Sequence, residues 1–146
     1  MRVDWPATVT IQVVERIPVV LWTAGSQKSW ADADGNLFEA REDLPNLLPI
    51  QVDDAATVTY KLAPPAAIEG ALQLKQLRPN IELLHYDSAH GLSYQDGRGW
   101  RGYFGVGDDM VKKLTVYEKL VSDLLAEGIT PKTISVESYQ TPYYTK

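Results

Sequence analysis

Only two stretches of this chain have a helical period, and everything between and around them is cut into short extended runs by glycine, proline, aspartate and serine. That pattern restricts the fold to strands with two helices packed on them. The first helix is predicted over 65–77. Pro64-Pro65 suits a helix N-terminus, where a missing amide costs nothing, and Ala67, Ile68, Ala71, Leu72 and Leu74 recur at helical spacing before Pro79 stops the run. The second is predicted over 108–126, with Asp108 as N-cap and Gly128 at the C-cap. Its expected apolar stripe is Met110 or Val111, Leu114, Tyr117, Val121, Leu124 and Leu125.

Around these helices, residues 7–14 alternate polar and apolar side chains, which puts Val9, Ile11 and Val13 on one strand face. A further strand is expected over 17–22, with Pro18 marking a bulge or an edge. Residues 28–33 and 36–40 read as a hairpin about Asp34-Gly35. Residues 41–56, punctuated by Pro45 and Pro49, read as irregular chain with Leu44, Leu47, Leu48 and Ile50 tucked against the core. Strands follow over 81–86, 91–95, 98–106, 132–136 and 141–145. Strands in meander order with two helices make the fold class α+β: a mixed, largely antiparallel sheet with two packing helices.

A length of 146 residues suits one domain, or one domain plus a remnant of another. The net charge of −5, with both signs well mixed, argues against a nucleic-acid footprint. The chain has no cysteine, which excludes disulfides and thiolate chemistry. The longest apolar run, residues 17–22, is far shorter than the roughly 20 residues of a membrane helix.

Several constellations carry possible chemistry. His85, Asp87, His90 and Asp96 lie close in sequence, but a strand histidine and a turn histidine are the simpler reading, and no metal site is expected. Gly97-Arg-Gly-Trp-Arg-Gly102 matches a phosphate-loop string, yet strand, not helix, follows it. No serine sits in a nucleophile elbow. The pairs Asp32/Asp34 and Asp53/Asp54 read as turn formers. No catalytic residue and no cofactor are therefore expected. The tail is different. Ser138-Tyr-Gln-Thr-Pro-Tyr-Tyr-Thr-Lys146 places three tyrosines within six residues, and tyrosine is enriched at interfaces. Pro142 lacks an amide, which puts this strand at a sheet edge, open to an incoming strand. The candidate partner-binding residues are Tyr139, Thr141, Tyr143 and Tyr144. One of the last two anchors the strand and the other meets the partner; alternation alone does not say which.

The order Trp5-Pro6, strand, Glu15-x-x-Pro18, aromatic, then Asp32-x-x-Gly35-x-x-Phe38 resembles the junction between the POTRA and β domains of the bacterial division family FtsQ/DivIB. Gly105-Val-Gly-Asp-Asp-Met110 before a helix, Ile134-Ser-Val136, and Pro142-Tyr-Tyr144 are similar to that family's later segments. Ser135 stands where the family usually has Asp, and Glu137-Ser138 where Arg-Tyr often follows. The resemblance implies a truncated POTRA strand over 1–20 and a β domain over 21–146, with Glu15 and Pro18 at the interdomain junction. It implies a non-enzymatic divisome scaffold that binds FtsB/DivIC-like and FtsL-like proteins and helps control septal peptidoglycan synthesis. The parent protein would be a single-pass membrane protein whose anchoring helix precedes this chain, with this region on the extracytoplasmic face at the septum. Two other readings are a small-ligand or glycan-binding β module using Trp30, Trp100 and Tyr103, and a hydrolase.

Overall fold

The computed structural model describes residues 15–146. The strand expected over 7–14, with Val9, Ile11 and Val13, lies outside the described residues. Among those described, nine strands form one sheet: β1 (Val20–Ala24), β2 (Gln27–Ala31), β3 (Leu37–Glu39), β4 (Leu48–Val52), β5 (Leu84–Asp87), β6 (Gly91–Gln95), β7 (Arg101–Gly105), β8 (Thr133–Ser135) and β9 (Tyr143–Thr145). Their spatial order is β3-β2-β1-β4-β5-β6-β7-β8-β9. Helix α1 (Pro65–Leu77) joins β4 to β5, and α2 (Met110–Ala126) joins β7 to β8. The chain is α+β, with a mixed sheet and two helices.

The meander holds within β1–β3, within β5–β7 and at β8–β9, where neighbours run antiparallel. It fails at β1–β4, β4–β5 and β7–β8, which are parallel. Parallel neighbours need a crossover, and α1 and α2 supply two of the three. The helices are therefore connections as well as cover.

The strand missing from the sequence reading is β4, inside the stretch expected to be irregular. Leu48, Ile50 and Val52 are buried as alternation demands, while Pro49 breaks the pattern a strand should show. Pro49 is tolerated because β5 begins pairing only at Ile50; at Pro49 the ladder has a neighbour on the β1 side alone. Other strands are shorter than, or displaced from, their expected spans. β1 starts beyond Pro18 and runs on to Ala24. β5 starts at Leu84, because the Ile81 amide turns back to the Arg78 carbonyl. β7 loses residues 98–100 to the turn closed by Gly99 N–H to the Asp96 carbonyl at 3.0 Å. β9 begins after Thr141 and Pro142, since the Thr141 amide closes a turn on the Ser138 carbonyl.

α1 spans the expected residues, but Leu72 stays at the surface while Gly70 is buried. α2 buries Met110, Tyr117, Val121 and Leu124 of its expected stripe and packs Leu114 partly on the core, but Lys113 is buried too, whereas Val111 and Leu125 are 60% and 48% exposed. Lys113 enters the stripe because its ammonium donates to the Val106 carbonyl at 2.9 Å and pairs with Asp109 at 3.1 Å. That tie fastens the β7–α2 link, where neither Asp108 nor the N-cap Asp109 makes a side-chain cap bond. At the other end the amides of Gly128 and Ile129 return to the Leu125 and Leu124 carbonyls, a Schellman closure.

Both helices lie on one face of the sheet. There Val20, Trp22, Ile50, Leu84, Leu92, Phe104 and Ile134 meet Ala67, Ile68, Ala71, Leu74, Met110, Tyr117 and Val121. Strand alternation puts Leu21, Trp30, His85, Ser93, Arg101, Tyr103 and Tyr143 on the opposite, open face. Two glycines are required by contact. Gly35, at φ +85° in the β2–β3 turn, would drive a Cβ into the Ala63 carbonyl oxygen. Gly102 lies under α2, where a Cβ would come within 2.9 Å of Tyr117 Cε2 and 3.0 Å of Phe104 Cε2. Gly102→Ala should therefore lower stability by about 1–3 kcal/mol through overpacking. Denaturant unfolding measures it, and Gly97→Ala, where nothing lies within 4 Å, is the control.

Candidate functional site

The carboxy-terminal edge is built outward from β7. Arg101 N–H donates to the Lys132 carbonyl at 3.1 Å, and Val136 N–H to the Tyr103 carbonyl at 2.8 Å. In a parallel ladder these bonds turn the backbone of Ile134 toward β7, leaving Thr133 and Ser135 to face β9. Their register partners are Thr145 and Tyr143. The strand is further pinned by Lys132 N–H to the Thr145 carbonyl at 2.8 Å and by the Thr133 and Thr145 hydroxyls, 2.6 Å apart. Alternation then points the Tyr144 N–H and C=O away from β8, along the free edge.

The two tyrosines divide the work. Tyr144 packs its ring against the core beside Ile134 while its backbone faces outward. Tyr143 bonds inward through its backbone and leaves its ring 52% exposed on the open face. Pro142 occupies the next outward position and has no N–H to offer. Among the described residues nothing pairs with this outer edge. The opposite edge is different: β3 is flanked by the Asn36–Leu62 bridge and by Ala63 N–H to the Gly35 carbonyl at 2.8 Å.

Tyr139 and Thr141 belong to the turn before β9 rather than to the strand. Tyr139 is half-buried with the Lys112 ammonium 5.4 Å from its ring centre, which tethers the turn to α2. Glu137 accepts from the Ser135 hydroxyl at 2.6 Å and lies 3.4 Å from His90 Nδ1, itself packed on Tyr103. Thr141 is exposed. Glu15 and Pro18 precede β1, six strand spacings or about 29 Å from β9. Glu15 is exposed and Pro18 half-buried, so the structure does not bring the two groups of candidate residues together. The Lys112–Tyr139 and Glu137–His90 tethers had no signal in the sequence, because each joins residues distant along the chain.

The rival constellations resolve into local pairs. Trp100 is 2% exposed, and its indole N–H donates to the Tyr117 hydroxyl at 2.8 Å. That hydroxyl donates to Asp96 at 2.7 Å, and Arg98 grips Asp96 with two bonds at 2.9 and 2.7 Å. Arg98 and Arg78 then share Glu118 of α2. Trp100 is thus part of the framework, and Trp30 and Tyr103 are five strand spacings apart, about 24 Å. Those three do not form one pocket. His85 turns its Nδ1 to Asp53 at 2.9 Å, and Asp87 accepts the amides of Ala89 and His90. Among the described residues no three His, Asp or Glu side chains gather as a metal site. His85 lies across from Ser93 on β6, yet the Ser93 hydroxyl is fully buried and held by Arg101 Nε and Nη2 at 3.1 and 2.9 Å. Gly97–Gly102 runs through the β6–β7 turn into strand. Asp32 is held below the ordinary carboxylate range by the Asn36 amide group and nearby backbone amides. Asp54 is lowered too, because bonds from Ser88 and Tyr60 outweigh its burial.

Asp96 is the most strongly shifted carboxylate. Burial alone would raise it, but the bonds from Arg98 and Tyr117 outweigh that and hold it at about 2, against an ordinary value of 3.8. The same environment, burial first and the hydrogen bond to Asp96 second, pushes Tyr117 up. A depressed acid contributes stability that is complete above its unfolded value and lost as pH falls through the folded one. Between about pH 4 and pH 2 the protein should lose on the order of 2 kcal/mol that an Asp96→Asn variant does not lose. Denaturant melts of both proteins across that range test this.

A scan against family models finds none that matches the chain, and a search of curated proteins finds no match either.

Proposed function

We propose that this chain is a non-enzymatic binding module that takes up a partner segment as an added strand along β9. The observation that carries the reading is the outward N–H and C=O of Tyr144 beside the exposed ring of Tyr143. Strand addition draws affinity from backbone bonds and specificity from alternate side chains. A partner residue placed opposite Tyr144 in antiparallel register exchanges both bonds with it. Its side chain then falls on the helix-covered side, next to the Tyr144 ring. The residues flanking it fall on the open face beside Tyr143 and Thr145. Pro142 can accept a bond but not donate one, so it weakens the ladder at that end and helps set register.

The partner class rests on the FtsQ/DivIB resemblance of Trp5-Pro6, Glu15-x-x-Pro18, Asp32-x-x-Gly35-x-x-Phe38 and Pro142-Tyr-Tyr144. On that reading the partners are FtsB/DivIC-like and FtsL-like division proteins. The parent protein is anchored in the cell membrane by a helix upstream of this chain, and it presents this region at the septum to bear on peptidoglycan synthesis.

Calorimetric titration with the soluble carboxy-terminal segment of an FtsB-like partner tests the proposal. Tyr144→Pro removes the outward donor while leaving the bonds between β8 and β9 in place, and Tyr144→Ala is its control for the lost ring. Tyr144→Pro should weaken binding several-fold more than Tyr144→Ala, and Tyr143→Ala should weaken it without lowering the melting temperature. Lys146→Ala should change little, since a rim charge contributes about 1 kcal/mol or less. Equal affinity of folded Tyr144→Pro and Tyr144→Ala proteins would rule out the β9 edge.

A further inference from the structure

The connection from β3 back to β4 has to pass β2 and β1, and it does so on the open face of the sheet. Residues 40–47 cross there and leave a cleft of about 370 Å³ over Trp30 and Leu21, closed on the loop side by Leu44 and Leu47. That volume lies within the range of small-molecule sites. Trp30 is braced from β3 by Phe38, whose ring meets it edge-on, with centres 5.8 Å apart and planes at 79°. The rim carries two cations, Lys28 and Arg41, and two anions, Glu42 and Asp43.

We infer that this cleft is a binding subsite for a neutral saccharide. Three features select that ligand class. Trp30, half-buried, lines the cleft, and an indole is a flat apolar group that suits the C–H face of a sugar ring. The rim has no net charge, so neither a free anion nor a free cation is favoured by the local field. Yet it holds strong donors and strong acceptors side by side, which suits hydroxyl groups, each of them donor and acceptor at once. A proline-rich peptide fits less well. Its grooves are lined by aromatic side chains that together flank the ligand; here the second ring is edge-on to Trp30 and does not line the cleft. The subsite lies seven strand spacings from β9, about 34 Å along the sheet, and is independent of strand addition there.

The test follows the indole signals of the four tryptophans in ¹H–¹⁵N spectra of the whole chain while chitotriose, cellotriose or decaproline is added. At least one saccharide should move the Trp30 indole and the amides of residues 40–47 saturably, with half-saturation at about 10 mM or below. Trp30→Ala should weaken that binding by about tenfold or more. Because Trp30 also packs on Phe38, the rim variant Glu42→Gln/Asp43→Asn provides a second reading. It should cost several-fold in affinity with no change in melting temperature. The inference is overturned if neither saccharide moves the Trp30 indole saturably, if decaproline alone does so, or if the folded rim variant binds as well as the parent.

Discussion

The carboxy-terminal half of the molecule depends on the seating of Tyr117 against β7. Its ring occupies the space left by Gly102, touches Phe104 with centres 4.9 Å apart, and faces Tyr94 at 6.3 Å. Its hydroxyl accepts from Trp100 and donates to Asp96, so one buried side chain satisfies two others. A buried polar chain of this kind stabilises only when every member is paired. Here Arg98 completes it at Asp96 and carries it out to Glu118. The result locks α2 over β7, and α2 in turn delivers the chain to β8.

That lock sets the position of the free edge. β8 is bonded to β7 in parallel, and among the described residues β9 is bonded to β8 alone. A three-residue strand with one neighbour has little stability of its own. The short edge is held by contacts from elsewhere: Tyr144 on the core, Lys112 at Tyr139, and Glu137 between Ser135 and His90. Of these, the Lys112 contact comes from α2 itself and the His90 contact from the β5–β6 turn. An edge ordered before a partner arrives loses less conformational freedom on binding, which favours affinity.

The one-sided placement of the helices has a second consequence. Polar residues on the open face are consumed by one another: Arg101 binds Ser93 and Asp53, and Asp53 binds His85. The crossing of residues 40–47 instead gathers apolar side chains around Trp30 with charged groups only at the rim. Edge and cleft are therefore different kinds of surface on one sheet, the first offering backbone and the second side chains.

The amino-acid sequence by itself determined the features that depend on local chemistry. Prolines bounded α1 on both sides, the span of β6 followed from the turns around it, and Pro142 announced an edge through its missing amide. Tertiary structure decided what local chemistry leaves degenerate. β4 is a strand despite Pro49 because the register of β5 starts one residue later, a fact about a neighbour more than thirty positions away. Lys113 enters the core stripe of α2 because the Val106 carbonyl and Asp109 are there to receive its charge, while Val111 and Leu125 stay at the surface. Trp100 and Trp30 are alike by composition, but Tyr117 and Asp96 bury one while the other lines a cleft. Adjacent Tyr143 and Tyr144 must point to opposite faces by sequence alone. Which of them faces the core was decided by the β8–β9 register, which sets Tyr144 opposite the buried Ile134 and Tyr143 opposite Ser135.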